Sequence, residues 1–436
     1  MIIGIDDTDS RKGMCTTYLC AVLVDELKKQ GDVSTPRLVR LNPCIPFKTR
    51  GNGAVSFEIS AEKEELVKEV VRARVSALSE LNEEGTNPGV VFIGDNVLNT
   101  ISDEQEERLK HFYETAVRDV LTLEDAYAII SGLRLDHFGL KNKRGLIGAL
   151  AAVSFFVLQR NKPNCYDFTY ELIAYRRKER RGKTRVIDEA SVWKADAATY
   201  PLTWDTVDVA NNTTVFAPHS PCPVLFGIRG DSEAAIYKAY GLIHAEPVER
   251  KMLFITNQGT DFHLIPLDVA TKEQLREFHS YELDGVVCSN PRTVEGGHVV
   301  FSIALSDSGT IECITYEPTK GFRSTIRALQ VGDLIRVYGS EKNGTVNIEK
   351  IELKQLNNAE ERNPRCAKCG RSMKSAGQLQ GYRCKRCGTY REDKDVVTVN
   401  RAIEEGLYEA PPVARRHLSK PLVRMRAADK KIHPSR

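Results

Sequence analysis

Met1-Ile2-Ile3-Gly4-Ile5 runs without a polar break into Asp6-Asp7-Thr8-Asp9. An apolar run this short reads as a buried strand, and the acids mark its end. Three carboxylates within four residues repel one another unless a cation sits among them. A hard cation is the simplest answer, because Mg²⁺ takes oxygen ligands and is commonly held by one or two carboxylates together with substrate phosphates. The competing reading is a solvated acidic turn. Gly13 and a helix start follow at once, and a helix N-terminus offers free N–H groups and a positive dipole end to phosphate.

Outward from this turn, the periodicity predicts helices over 15–30, 61–80, 103–120 and 145–156, with strands at 55–60 and 90–93. Strands alternating with helices predict an α/β or α+β first domain over 1–160. A second region, 165–270, reads as a compact βαβ-type unit: strands at 168–176, 213–217 and 251–256, and a helix at 230–243. From Tyr281 to Leu353 short alternating strands are separated by Asp307-Ser308-Gly309, Gly332-Asp333 and Lys342-Asn343-Gly344. This texture predicts a small five-stranded barrel of the OB type over 280–356, with a β-sandwich as the alternative. In the last region, 362–436, Cys366-x2-Cys369 and Cys384-x2-Cys387 stand 14 residues apart, each pair followed by glycine. Four thiolates at this spacing predict a closed structural Zn²⁺ site, with an iron–sulfur cluster as the competitor.

The 436 residues predict two to four domains, and 41% hydrophobic with 28% charged residues is ordinary globular composition. There is no run near 18 apolar residues, so no membrane span is expected. The N-terminus lacks the basic and apolar regions of a secretory signal, and eleven cysteines with a metal-type cluster fit a reducing cytoplasm. The net charge of +3 hides an asymmetry. Residues 362–436 hold 19 Lys and Arg against 7 Asp and Glu, a basic quarter on an acidic body. That points to a polyanion partner at this end, or else to a solvated basic tail.

Two further patches have phosphate-site chemistry. Lys48-Thr49-Arg50-Gly51-Asn52-Gly53 joins cations to glycines that permit close backbone approach, and Lys141 to Arg144 precede Gly145 at the start of an alanine-rich helix. The alternatives are a surface turn and a solvated loop. No Walker-type sequence is present. Acids, cations and glycine turns together make phosphoryl transfer from a nucleotide the natural chemistry, since it depends on positioning and charge neutralisation. Thr16 and Thr17 stand at the first helix start, as phosphate neighbours or as caps. Pro221-Cys222-Pro223 leads through Gly227, Arg229 and Gly230 to Asp231, reading as a rigid turn, a strand and a helix start. It is either a ligand-approached segment or a structural turn. His137, His219, His263 and His298 have no ligand partner at useful spacing.

GIDDTDS (4–10), GMCTTYL (13–19), RLNP-x-IPFKTRGNGAVSF (40–57), TNPG (86–89), RGLIGALAAV (144–153), ELIAYR (171–176), PCPVL-x-GIRG (221–230) and ARRHLSKPL (414–422) closely resemble the archaeal tRNA(Ile) 2-agmatinylcytidine synthetases, in order and over essentially the whole chain. The resemblance implies a multidomain α+β chain: a kinase-like domain, a ferredoxin-like domain, an OB-fold and a C-terminal zinc ribbon. It implies ATP-dependent modification of the wobble cytidine of an isoleucine tRNA with a CAU anticodon. The cytosine 2-carbonyl oxygen is phosphorylated and agmatine displaces the phosphate. The product, agmatidine, reads AUA. On the family pattern Asp6, Asp7 and Asp9 are the catalytic carboxylates that hold Mg²⁺. Thr16 is the autophosphorylated threonine, with Thr17 as the alternative. ATP contacts fall on Lys48, Arg50, Gly51, Asn52, Gly53, Lys143 and Arg144. The agmatine pocket falls on Pro221, Cys222, Pro223, Gly227, Arg229 and Asp231, the last as a carboxylate for the cationic ligand. For tRNA, Arg323, Lys385, Arg386, Arg415 and Arg416 are the expected contacts, with Tyr316, Phe322 and His417 beside them. A nucleic-acid-binding protein with a non-catalytic N-terminal domain is the alternative that agmatine-dependent ATP consumption discriminates.

Overall fold

The computed structural model describes the whole chain except residues 49–50, 164, 268–269, 308, 378–379 and 426–429. The opening strand, Ile2–Asp6, lies inside a sheet, antiparallel to Gly53–Ala61 on one side and Gly89–Ile93 on the other. Both faces of this sheet are covered, which is why the strand is apolar at every position. Ile2 packs into one core with the helices Asp103–Arg118, Leu123–Gly132 and Gly145–Asn161, while Ile3 and Ile5 pack into another with Thr16–Leu27 and Glu64–Leu78. Gly4 faces the 145–161 helix so closely that a Cβ would fall 2.2 Å from the Ala149 carbonyl oxygen. That helix has no polar face because it is enclosed nearly all round, from Gly145 to Gln159. The 103–118 helix starts at a reciprocal cap, with Gln105 N–H donating to Ser102 Oγ and Ser102 N–H to Gln105 Oε1.

The second region does not form a separate sheet. Arg37–Arg40 pairs in parallel with Val248–Thr256, through Arg37 opposite Ile255 and Leu38 opposite Thr256, and so fuses the two regions into one sheet. Thr169–Arg176 lies between Val224–Gly230 and Val248–Thr256, antiparallel to both. The expected strand–helix–strand unit is therefore split by a strand from earlier in the chain. The helices Glu189–Thr199 and Glu233–Leu242 pack against each other, and a short edge strand at Thr203–Trp204 completes the region. The strand expected at 213–217 is only Thr213–Thr214, paired to Val207–Asp208.

Ser280–Val287, Val299–Ala304, Thr310–Thr315, Leu334–Lys342 and Thr345–Gln355 close into a five-stranded barrel. The first strand pairs with the second and fourth, and the third pairs in parallel with the fifth. After the barrel comes a small module with Cys366, Cys369, Cys384 and Cys387. Its knuckles turn through Gly370 and Gly388, both in the left-handed region. The chain then leaves this module. Gly406–Glu409 adds to the barrel along Thr345–Gln355, and residues 410–425 run back to the first two regions. Gly259 N–H donates to the His417 carbonyl at 2.8 Å, and Asp261 N–H to that of Leu418 at 2.9 Å. The end of the chain is thus a strap across the body rather than a tail.

Candidate active site

The acidic corner is built where the opening strand meets the start of the 145–161 helix. Gly148 lies against the Asp6 carboxylate, and a Cβ there would fall 1.9 Å from Oδ2. Only glycine lets the helix approach this closely. Asp7 has φ 57°, a left-handed conformation that aspartate tolerates better than most residues. Thr8 Oγ1 donates to Thr16 Oγ1 at 3.1 Å, and Thr86 Oγ1 donates to the Asp9 carbonyl at 2.7 Å, tying the turn to its neighbours. Burial, then repulsion by Asp7 and Asp9, pushes the Asp6 carboxyl well above the ordinary range. Burial first and Asp9 second push Asp7 up to about 7, although Arg144 pulls both down. These are hard oxygen donors enclosed without enough positive charge, so the residues fit a divalent cation. The three carboxylates do not converge on one point. Among the described residues the groups that do are the four cysteines and Asp261, His263 and Glu349. Phosphate or water oxygens would therefore complete the coordination of a cation at Asp6 and Asp7.

One cleft of about 530 Å³ gathers most of the residues expected from the sequence. Asp6, Asp7, Asp9, Thr16 and Thr17 line one end. Lys48, Gly51, Asn52, Gly53 and Arg144 line it too, and Cys222, Gly227 and Arg229 form a wall contributed by the second region. Lys48 Nζ is bonded to the Pro43 carbonyl, which curls its loop. Arg50 lies outside the described residues. Lys143, Pro221, Pro223 and Asp231 do not line the cleft. The structure corrects the expectation for Asp231, whose carboxylate is engaged by Arg424 at 2.7 Å.

The carboxylate that does face this wall is Glu171, in the middle of a strand. It is 5% exposed, accepts from Arg229 Nε at 3.2 Å and Gln258 Nε2 at 2.6 Å, and stands 3.8 Å from Arg40. Burial works to raise its pKa, but Arg229 and Arg40 hold it below the usual range. Gly227 makes room for it, since a Cβ there would meet Glu171 Oε1 at 2.6 Å. Arg40 also donates to the Gly51 carbonyl at 3.1 Å. Neither Arg40 nor Glu171 was among the expected site residues; Glu171 carries a signal as the one acid in the strand Thr169–Arg176, whereas Arg40 ends a short strand that begins with another arginine.

The expected tRNA residues divide. Lys385 and Arg386 are exposed on the cysteine module. Arg415 is corrected: its side chain is 3% exposed, bound to Asp205 and at 2.8 Å to Glu409, so it faces inward. Arg416 bonds Ser340 and lies 3.9 Å from Glu349, and Arg323 is held by Glu317 and the Gly297 carbonyl. Phe322 is part of the barrel core. His263, without a partner in sequence, meets Glu349 at 3.0 Å across 86 residues. Lys350 neutralises the adjacent Asp261, so this cluster joins the barrel to the second region without needing a cation.

Family models described as the TiaS TCKD domain, the TiaS FLD domain and the TiaS C-terminal zinc ribbon domain match residues 2–142, 143–263 and 363–403. The chain is 50% identical to the tRNA(Ile2) 2-agmatinylcytidine synthetase TiaS of Methanosarcina mazei, over 100% of both chains. It is similar to the solved TiaS–tRNA(Ile2)–ATP complex at 44% identity and TM-score 0.87, covering 100% of this chain and 99% of that one. It is also similar to the TiaS–tRNA(Ile2)–AMPCPP–agmatine complex at 42% identity and TM-score 0.85, with the same coverage.

Proposed function

The chain belongs to the TiaS family, and on that premise we propose that it joins agmatine to the wobble cytidine of tRNA(Ile2) at the expense of ATP, forming agmatidine. The observation that carries this is the single cleft in which the acidic turn, the cationic glycine loop and the Gly227–Arg229 wall meet. Relatives of this chain bind tRNA(Ile2), ATP and agmatine. The reaction forms a C–N bond, which makes the enzyme an ATP-dependent ligase. No helix is long and apolar enough to cross a membrane among the described residues, in keeping with a cytoplasmic site for tRNA modification.

In this reading Lys48, the Gly51–Gly53 backbone and Arg144 hold the polyphosphate. Asp6 and Asp7, with Asp9 beside them, would hold Mg²⁺, which when bound neutralises phosphate charge. Phosphorylation of the cytosine 2-carbonyl oxygen turns a poor leaving group into a good one. The agmatine amine then forms the new C–N bond, the C–O bond breaks, phosphate departs with the oxygen, and the nitrogen gives up a proton. Agmatine is placed along the wall formed by Cys222, Gly227 and the 213–220 segment, and Thr16 is the favoured phosphorylated threonine. The closed five-stranded barrel supports an OB-fold (280–356), and the resemblance supports a kinase-like first domain (1–160) and a ferredoxin-like second domain (165–270), with tRNA gripped by the barrel and the ribbon. Four thiols grouped within 4.8 Å support structural Zn²⁺ in the ribbon. Incorporation of labelled agmatine into tRNA(Ile2) transcript with ATP and Mg²⁺ tests the function. Tight tRNA binding without incorporation would instead favour a binding protein.

A further inference from the structure

His417 reaches the cleft from the C-terminal strap. The strap is fixed on both sides of it: Arg415 is locked between Asp205 and Glu409, and Lys420 N–H donates to Asp261 Oδ1 at 2.6 Å. His417 Nδ1 lies 2.9 Å from an Arg229 terminal nitrogen. Arginine is only a donor, so Nδ1 must accept, and the ring's single proton sits on Nε2. Nε2 stands at the Gly51 turn, 3.4 Å from where a Cβ of Gly51 would lie, with no hydrogen-bond partner among the described residues. Arg40 first, then burial, Arg229 and Lys48 press the ring well below the ordinary imidazole range, which keeps it neutral.

The surrounding charge is lopsided. Arg40 and Arg229 share one ion-paired carboxylate, Glu171, Asp9 acts on Arg40 more weakly, and Lys48 adds a third cation. Arg40 Nε is enclosed without a partner among the described residues. Agmatine is cationic at both ends and is repelled here. An oxyanion is attracted, and a fixed N–H donor beside guanidinium groups is the arrangement that binds one.

We propose that Arg40, Arg229 and His417 form an oxyanion subsite for a phosphate group of the nucleotide substrate, with His417 as a positioning residue that donates Nε2–H. This rests on the ATP-dependent reading of the cleft. It moves Arg229 from the agmatine side to the phosphate side.

The test is calorimetric binding of inorganic pyrophosphate with Mg²⁺ to the full-length protein, its His417→Glu variant and its His417→Gln variant. Glutamine can accept from Arg229 through Oε1 and still donate through Nε2, so binding within about threefold of the parent is expected. Glutamate puts an anion at the same point, and weakening by at least about tenfold is expected, matched by a rise in the KM for ATP. Equal affinity of parent and His417→Glu overturns the subsite, and so does equal loss in both variants. Weakened tRNA binding with unchanged pyrophosphate binding also overturns it, by assigning the site to a tRNA phosphodiester. If the parent fails to incorporate agmatine, the functional reading fails separately, because pyrophosphate binding is scored without turnover.

Discussion

The ribbon and the strap are both strongly basic, and the structure uses their charges in opposite ways. On the ribbon, Lys368, Arg371, Lys385 and Arg386 are exposed, and among the described residues none lies within ion-pair distance of a carboxylate. Arg391 and Lys394 of the ribbon are paired, with Asp395 and Glu361, but on the strap nearly every cation is matched. Arg415 meets Glu409 at 2.8 Å, Lys420 meets Asp167 at 2.8 Å, Arg424 meets Asp167 at 3.0 Å and, at the chain end beyond it, Arg436 meets Asp196 at 2.7 Å. The acidic body that the charge asymmetry revealed is in part the strap's own partner. A basic segment is available to a polyanion only to the extent that its own fold leaves it unpaired.

The largest expected effect separates the two regions by their source of stability. The ribbon has a core of little more than Met373 and its cysteines, so the free energy of metal binding is its folding free energy. Chelation is expected to abolish hydrogen-exchange protection over 363–403 while 406–425 keeps its own. Loss of protection in both would show that the strap depends on the ribbon. Next in size, Arg415→Ala leaves Asp205 and Glu409 as buried unmatched acids. It is expected to cost about 3–5 kcal/mol in denaturant unfolding of the body. Arg386→Ala on the ribbon is expected to stay within about 0.5 kcal/mol.

The same rule applied to acids gives a pH prediction. Asp7 is enclosed without enough positive charge, and its pKa stands near 7 in the folded chain against 3.8 in the unfolded one. The folded state therefore holds the extra proton between these values, and stability from this group is present below about pH 4 and lost as pH rises through 7. The metal-free protein should melt roughly 5 °C lower at pH 8 than at pH 5, and Asp7→Asn should reduce that slope, with buried Asp6 carrying the remainder. The same variant should lose agmatine incorporation by at least about a hundredfold, a scale consistent with removing one preorganised catalytic charge. Its tRNA binding should persist. Full activity would remove the cation assignment at Asp7.

Much of this was legible in the chain because it is local. The apolar run at Ile2–Ile5, the all-buried 145–161 helix and the cysteine spacing each carry their meaning within a few residues. Gly227 and Arg229 were named from the sequence, but the Arg40–Glu171 pair beside them was not legible, because it exists only through the pairing of Arg37–Arg40 with Val248–Thr256, two strands some 200 residues apart. That pairing brings Arg40 beside Glu171. The return of the strap then adds His417, which the sequence placed among the expected tRNA contacts. Asp231 misled for the opposite reason. It follows a glycine-containing strand and offers a carboxylate to a cationic ligand, but Arg424, nearly 200 residues later, takes that carboxylate.

The smallest expected effect is the sharpest test of the comparison. A cation that meets a tRNA phosphate releases a counterion, and this lowers the slope of log affinity against log salt by roughly 0.7–0.9 per contact. Lys385→Ala with Arg386→Ala removes two exposed charges, so a fall in slope of about 1–2 is expected from tRNA titrations across a salt series. Lys420→Ala removes the same kind of charge from the strap. There it already neutralises Asp167, so the slope should not move. If Lys420→Ala changes the slope as much as a ribbon cation does, the pair opens when tRNA binds. The strap would then belong to the tRNA surface, and the division drawn between the two basic regions would fail.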